Sequence, residues 1–245
     1  MKAMIFAAGL GTRLKPLTNE KPKALVEVNG KPLLYYAIEI IKKAGIESII
    51  VNTHHFSEQI IAYIENTDFG IPIEISDESE ELLNTGGGLK KAAAFLQGNE
   101  AFLVYNVDIL SDINLTEMLE YHLQTNALAT LAVMDRKTAR YFLFDDDNTL
   151  CGWRNKKDGS ERISRMANHV TEYAFSGIQI LDPKLLYLMT QEGVFPIVDV
   201  YLELAKDYII KAYNHTNTLW CDLGKHHELE CAGEIVSKIF WEIEN

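Results

Sequence analysis

The sequence predicts an α/β fold: a single domain built on a mostly parallel sheet with helices on both faces. Three observations lead there. Short apolar segments alternate with amphipathic ones of helical period through the first 135 residues, joined by short links, which is the pattern of β-α-β units. The first apolar segment runs straight into a loop with two glycines, Gly9 and Gly11. Finally, the 245 residues contain no internal repeat and no linker rich in Gly, Ser or Pro, so one domain is expected rather than two.

The elements follow in order. Lys2–Ala7 reads as a buried strand, and residues 24–28 (ALVEV) as a short edge strand. Pro32 opens a helix with Leu33, Leu34, Ala37, Ile38, Ile41 and Ala44 at helical spacing, and Gly45 ends it. Residues 48–53 form a strand. Ser57 is placed to cap a helix carrying Ile60, Ile61 and Ile64. Residues 71–76 form a strand with a proline at its edge. A helix is expected after Gly86-Gly87-Gly88, a strand over 101–106, a helix over 114–125 capped by Asn114, and a strand over 128–134. From about residue 140 the pattern changes to strand-like pieces at 141–145, 149–154 and 173–181, separated by polar turns. Helical patterns at 183–192 and 197–207, strands at 209–213 and 218–221, and a helix at 225–241 complete the chain.

Composition narrows the function. Hydrophobic residues make up 47% and charged residues 24%, the balance of a globular chain able to bury a core. The net charge of −12 argues against nucleic-acid and membrane-surface binding, both of which need a positive field. The charge is uneven: residues 1–50 carry a net +4 and the remainder −16. A basic loop in an acidic chain suits a small, highly charged anion. Cys151, Cys221 and Cys231 are odd in number and form no Cys-x-x-Cys pair, so neither a disulfide framework nor a zinc site is expected. The opening apolar run is short and is broken by Arg13 and Lys15, unlike a secretory leader, and no run reaches membrane-spanning length. A cytoplasmic location is expected.

The loop after the first strand carries the chemistry. Gly9-Leu10-Gly11-Thr12-Arg13-Leu14 lacks the third glycine of a dinucleotide fingerprint, and no Gly-x-x-x-x-Gly-Lys-Ser/Thr run exists. What distinguishes it is charge, Arg13 and then Lys23. A triphosphate attacked at its α-phosphorus expels pyrophosphate, and the charge that develops needs cations placed beforehand. Arg13 offers a planar fork of donors and Lys23 a point charge. Gly9 and Gly11 let backbone amides approach the phosphates.

The stretch Gly-x-Gly-Thr-Arg-Leu-x-Pro-Leu-Thr, followed by Pro22-Lys23, resembles the signature of the sugar-1-phosphate nucleotidylyltransferases. The resemblance covers essentially the whole chain, strongly over residues 1–112 and loosely beyond. It implies a Rossmann-like fold of the nucleotide-diphospho-sugar transferase type, with residues 1–135 as a nucleotide-binding half and 136–245 as a sugar-phosphate-binding half. It implies Mg2+ as cofactor, and a nucleoside triphosphate and a sugar 1-phosphate as substrates. Three later stretches fit the same family. NTGGGL (84–89) sits where relatives contact the base, LVYNVD (103–108) carries Asp108, and LWCDLG (219–224) carries Asp222. By resemblance Arg13, Lys23 and Asp108 are catalytic. Ala8, Gly9, Gly11, Thr12, Arg13, Lys23, Thr85, Gly86, Gly87 and Asn106 meet the nucleotide, and Asp108 and Asp222 hold magnesium.

The second half departs from the pattern. Many relatives carry Glu-Lys-Pro, with the lysine on the sugar phosphate. Here the stretch reads Trp153-Arg154-Asn155-Lys156, so Arg154 and Lys156 are both candidates. Glu172 and Gly177, in EYAFSGI (172–178), are candidates for sugar hydroxyls. No hexapeptide repeat follows, so no β-helix domain is expected. The short length and the TGGG stretch look most like N-acetylmuramate 1-phosphate uridylyltransferases. Mannose-1-phosphate guanylyltransferases and phosphocholine cytidylyltransferases are alternatives, and a catalytically silent nucleotide-sugar sensor a further one. A lactyl carboxylate on the sugar would want another cation, for which Arg140, Arg154, Arg162 and Arg165 are present. Oligomeric state is not legible. The pairs His54-His55 and His226-His227 are not expected to bind metal, because adjacent residues do not converge on one point.

Overall fold

A computed structural model describes residues 1–224 and 226–240; the side chains of His226, His227, Glu230 and Cys231 lie outside the described set. The expectations on His226-His227 and on the Cys231 thiol therefore fall outside the described residues. In chain order, β1 (Lys2–Phe6) is followed by 3₁₀ turns at Thr12–Leu14, Leu17–Asn19 and Lys23–Leu25, then β2 (Glu27–Val28) and β3 (Lys31–Pro32). Next come α1 (Leu33–Lys43), β4 (Ser48–Thr53), α2 (Ser57–Glu65), β5 (Ile73–Asp77), α3 (Asn84–Lys91), α4 (Ala93–Leu96), β6 (Phe102–Asn106), β7 (Ile109–Ser111), α5 (Leu115–Thr125) and β8 (Ala129–Met134). The chain continues through β9 (Arg140–Phe144), β10 (Leu150–Asn155), β11 (Glu161–Ile163), β12 (Thr171–Leu181), α6 (Lys184–Leu188) and α7 (Ile197–Leu204). It closes with β13 (Ile210–Asn214), β14 (Trp220–Asp222) and α8 (His226–Phe240). This is the expected α/β class, with a mostly parallel central sheet and helices.

The chain forms two compact units with interleaved boundaries, 1–82, 104–113 and 218–245 against 83–103 and 114–217. This partition does not coincide with a division at residue 135. In the first unit β4 lies between β1 and β5, parallel to both, with Phe6 opposite Asn52 and Asn52 opposite Ser76. The carboxyl ends of three strands therefore lie in one row, the edge where open α/β sheets receive ligands. Ala3, Met4, Ile5, Ile49 and Val51 are buried, as expected of parallel strands covered on both faces. Helix α1 buries Leu33, Leu34, Ala37, Ile38 and Ile41, and Gly45 stops it at φ +73°. Strand β7 pairs antiparallel with β14, Asp222 opposite Ile109.

In the second unit β12 pairs antiparallel with β8 and β9, β10 pairs antiparallel with β9 and β11, and β13 runs parallel to β8. The consecutive antiparallel pairs β9–β10 and β10–β11 fall where the sequence period changes. Local expectations fared unevenly. Asn114 caps α5, its side chain accepting from Glu117 N–H. Ser57 does not cap α2: it is the first helical residue, and Phe56 holds the cap position at φ +53° with no side-chain cap bond. The expected strand over 24–28 is split between a 3₁₀ turn and the two residues of β2. Gly86, Gly87 and Gly88 lie inside α3, which starts at Asn84, instead of preceding it.

Candidate active site

The first unit brings five expected residues to one place, Gly11, Arg13, Lys23, Asp108 and Asp222, and carries Ala8, Gly9, Thr12 and Asn106 as well. Gly11 turns the loop at φ +62°, and a side chain there would meet Lys23 Cβ and Thr18 Cγ2, each at 3.0 Å. Its carbonyl accepts from Leu14 N–H and Thr18 Oγ1, both at 2.9 Å. The turn is thereby fixed, Leu14 points into the core, and Thr12 and Arg13 stay exposed. Gly9, by contrast, is exposed, and beyond its chain neighbours no atom of the described residues lies within 4 Å of where a Cβ would stand. Crowding within the chain does not demand a glycine there, which leaves room for a ligand. Ala8 is buried beside it.

Lys23 reaches back across the loop. Its ammonium contacts the Asp108 carboxylate in a mostly buried ion pair, the two side chains 10% and 18% exposed. Asp108 follows β6, with Asn106 half-buried at that strand's end. The β7–β14 ladder then places Asp222 beside Asp108, and Leu223 N–H donates to the Asp108 carbonyl at 2.8 Å. Tyr105, fully buried, donates its hydroxyl to Ile109 O at 3.0 Å and braces the same turn. Arg13 lies over Gly224. A Cβ at that position would stand 2.5 Å from Arg13 Nη2 and 2.7 Å from Asp222 Oδ1.

These contacts leave an excess of negative charge. Burial, and then the Asp108 carboxylate, push the Asp222 carboxyl above its ordinary range; Lys23 and Arg13 pull it back, and Glu228 of α8 adds to the rise. Among the described residues Asp222 Oδ1 is buried with no hydrogen-bond partner. A buried carboxylate oxygen left over in this way fits a divalent cation shared with Asp108. Among the described residues no group of three or more His, Cys, Asp or Glu side chains is arranged to hold a metal alone. Magnesium on this pair would draw its remaining oxygens from phosphate and water.

Thr85, Gly86, Gly87, Arg154, Lys156, Glu172 and Gly177 belong to the second unit. Gly86 and Gly87 amides both donate to Phe195 O, at 2.9 and 3.2 Å. A Cβ on Gly86 would stand 2.4 Å from the Phe195 ring, and one on Gly87 2.4 Å from Gly193 O. Close packing against residues 193–195 thus accounts for two of the three glycines. Thr85 Oγ1 accepts from Ile197 N–H at 2.9 Å. Arg154 is bidentate to Glu161 at 3.1 Å and donates to Glu172 at 2.5 Å, while Lys156 contacts the other Glu172 oxygen. Lys156 and Arg154 hold the Glu172 carboxyl below its usual range. Gly177 sits in β12 at φ +79°, where the register with β8 shifts. Of the four arginines noted for a carboxylate, Arg162 pairs with Asp199, and Arg165 donates to the carbonyls of Ala205 and Tyr208.

Sequence reasoning missed Gly224, Glu228, Asn52 and Glu78. Gly224 had a signal, since it stands two residues beyond Asp222 in the quoted motif. Glu228, Asn52 and Glu78 had none.

The fold and this cluster define a class. The model of the nucleotidyl transferase family matches residues 2–238, and the chain belongs to that family. Particular relatives include the N-acetylmuramate alpha-1-phosphate uridylyltransferase of Caulobacter vibrioides, 45% identical over 109 residues, covering 43% of this chain and 45% of that protein. The enzyme of the same name from Neisseria meningitidis is 30% identical over 227 residues, 91% of this chain and 93% of that one. The chain spans only 60% of the length of the UTP--glucose-1-phosphate uridylyltransferase of Synechocystis, 28% identical over 241 residues and 92% of this chain. UDP-glucose pyrophosphorylase from Acinetobacter baumanii shares the fold, with a TM-score of 0.78, 19% identity and 99% coverage of both chains.

Proposed function

We propose that the protein transfers a nucleotidyl group from a nucleoside triphosphate to a sugar 1-phosphate, releasing pyrophosphate. The observation that carries this reading is the convergence of Arg13, Lys23, Asp108 and Asp222 beside the carboxyl ends of the first unit's strands. The reaction needs no nucleophilic Ser, Cys or His, because a phosphate monoester is already a nucleophile. Its oxygen attacks the α-phosphorus in line. A bond forms between that oxygen and phosphorus while the bond to the pyrophosphate bridging oxygen breaks, and pyrophosphate leaves with the electron pair. Arg13 and Lys23 neutralise the charge growing on the phosphates, and the amides of Ala8–Gly11 orient them. Magnesium, when held by Asp108 and Asp222, supplies further charge neutralisation. Asn106 and Thr12 are assigned to the nucleotide in the first unit, and by resemblance so are Thr85, Gly86 and Gly87 of the second. By the same resemblance Arg154, Lys156, Glu172 and Gly177 are candidates for the sugar phosphate.

Uridylyl transfer to N-acetylmuramate 1-phosphate is the preferred pair, in keeping with the Caulobacter and Neisseria relatives. A mannose-1-phosphate guanyltransferase also aligns over 92% of this chain at 29% identity, which keeps guanylyl transfer as the second reading. The test is pyrophosphate release with Mg2+ across UTP, GTP, CTP, ATP and dTTP, each paired with N-acetylmuramate, N-acetylglucosamine, glucose or mannose 1-phosphate or phosphocholine. Turnover with one pair names both substrates; no turnover with any pair overturns the reading.

A further inference from the structure

β1 leaves its ladder at Phe6, opposite Asn52 of β4. The next amide along the chain, Ala7 N–H, donates to the Asn52 side chain at 2.8 Å, so that a side chain continues the ladder. The other end of the same carboxamide donates to Glu78 Oε1 at 2.7 Å. Glu78 follows β5 and is pinned by its backbone. Its N–H donates to Thr53 O at 2.7 Å, and its carbonyl lies 2.6 Å from His54 Nδ1, which must therefore be the protonated ring nitrogen. Ala7, Asn52 and Glu78 are 3%, 3% and 1% exposed.

Burying a carboxylate this deeply is costly, and an apolar residue would close the strand end at lower cost. Ala7 N–H can only donate and takes the Asn52 oxygen, while a Glu78 oxygen takes the NH2; the two contacts together fix which way the Asn52 carboxamide faces. Ala7 is the first residue of the loop that runs through Gly9 to the left-handed turn at Gly11.

We propose that Asn52 and Glu78 are positioning residues for nucleotide binding: Glu78 orients the Asn52 amide, and Asn52 fixes the direction in which Ala7–Gly11 leaves the sheet. The inference rests on the nucleotidyl-transfer reading above. It makes a donor-reversal experiment informative. Asn52→Asp sets two carboxylates against each other, whereas Asn52→Asp with Glu78→Gln restores the relay with the second bond reversed, Gln donating to Asp.

The experiment measures dissociation constants for UTP, GTP, CTP, ATP and dTTP with Mg2+ present and sugar phosphate absent, then KM for each substrate, kcat and melting temperature. Asn52→Asp is expected to weaken the preferred triphosphate about tenfold or more, with the sugar-phosphate KM nearly unchanged, and the double variant to return within roughly threefold of wild type. Should Asn52→Asp fail to fold, Asn52→Ser, which is too short to bridge, carries the same expectation. Wild-type affinity in Asn52→Asp, or a double variant that folds as wild type yet stays as weak as the single, overturns the inference. So does a loss confined to melting temperature and kcat, with both KM values unmoved, which marks a purely structural role. A wild-type protein that binds none of the five triphosphates overturns the functional reading itself, and is told apart because it appears before any substitution.

Discussion

Gly224 separates Arg13 from the backbone beneath it by the absence of one carbon. Replacing it with alanine would put a Cβ 2.5 Å from Arg13 Nη2 and 2.7 Å from Asp222 Oδ1. Ordinary contact begins near 3.4 Å, so one or both groups must withdraw by about 1 Å, a displacement that costs on the order of 10²-fold in rate when the groups act on the reacting phosphates. That corresponds to about 2.7 kcal/mol of transition-state stabilisation. Stability should hardly change. Gly224 carries no positive φ, and the exposed Arg13 guanidinium can swing into solvent; Gly→Ala at a compatible position stabilises by about 0.4–1 kcal/mol. The assay is steady-state pyrophosphate release with the preferred substrate pair, read as kcat/KM against wild type, alongside a thermal melt. A Gly224→Ala protein that melts normally and retains kcat/KM within about threefold would refute the placement of Arg13 and Asp222 at the reacting centre.

Further outcomes follow from the same contacts. Lys23→Met leaves Asp108 as an unpaired, mostly buried charge and should destabilise the protein by about 3–5 kcal/mol, read by urea denaturation; adding Asp108→Asn should recover much of that loss, while pyrophosphate release is expected to be lost in both variants. Gly87→Ala drives a Cβ against Gly193 O and should cost about 1–3 kcal/mol, whereas Gly9→Ala, with open space around it, should melt as wild type and be defective in triphosphate KM alone. Burial holds His122 and His215 neutral, each with its pKa lowered to about 4. Because the unfolded chain takes up those protons first, stability should be intact above about pH 6.5 and fall as pH drops toward 4, by on the order of 3 kcal/mol per histidine. Denaturation midpoints at pH 7.5 and 5 test this, and His122→Gln with His215→Gln should flatten the slope.

The sequence was most readable where one residue type has one physical use. Alternating apolar runs located β1, β4 and β6, and Asn114 announced α5 because its side chain can cap a helix start. Arg13 and Lys23 stood out by their charge in a glycine loop, whereas Asp108 and Asp222 were singled out only through the resemblance of LVYNVD and LWCDLG to the family's motifs. Ser57 misled because a capping side chain is optional once Phe56 is held in a left-handed turn. The glycines at 86 and 87 were assigned to nucleotide approach, yet their closest demand comes from Phe195 and Gly193, more than 100 residues away. Asn52 and Glu78 stayed hidden for the same reason: their meaning lies in strands that only the sheet brings together.

The most direct test of the account follows the reaction by 31P NMR, with Mg2+, UTP and N-acetylmuramate 1-phosphate, beside Asp108→Asn. Nucleotide sugar and pyrophosphate appearing one for one in the wild type, and neither in the variant, is the expected result. Hydrolysis of UTP without sugar transfer, or undiminished product from Asp108→Asn, would contradict it.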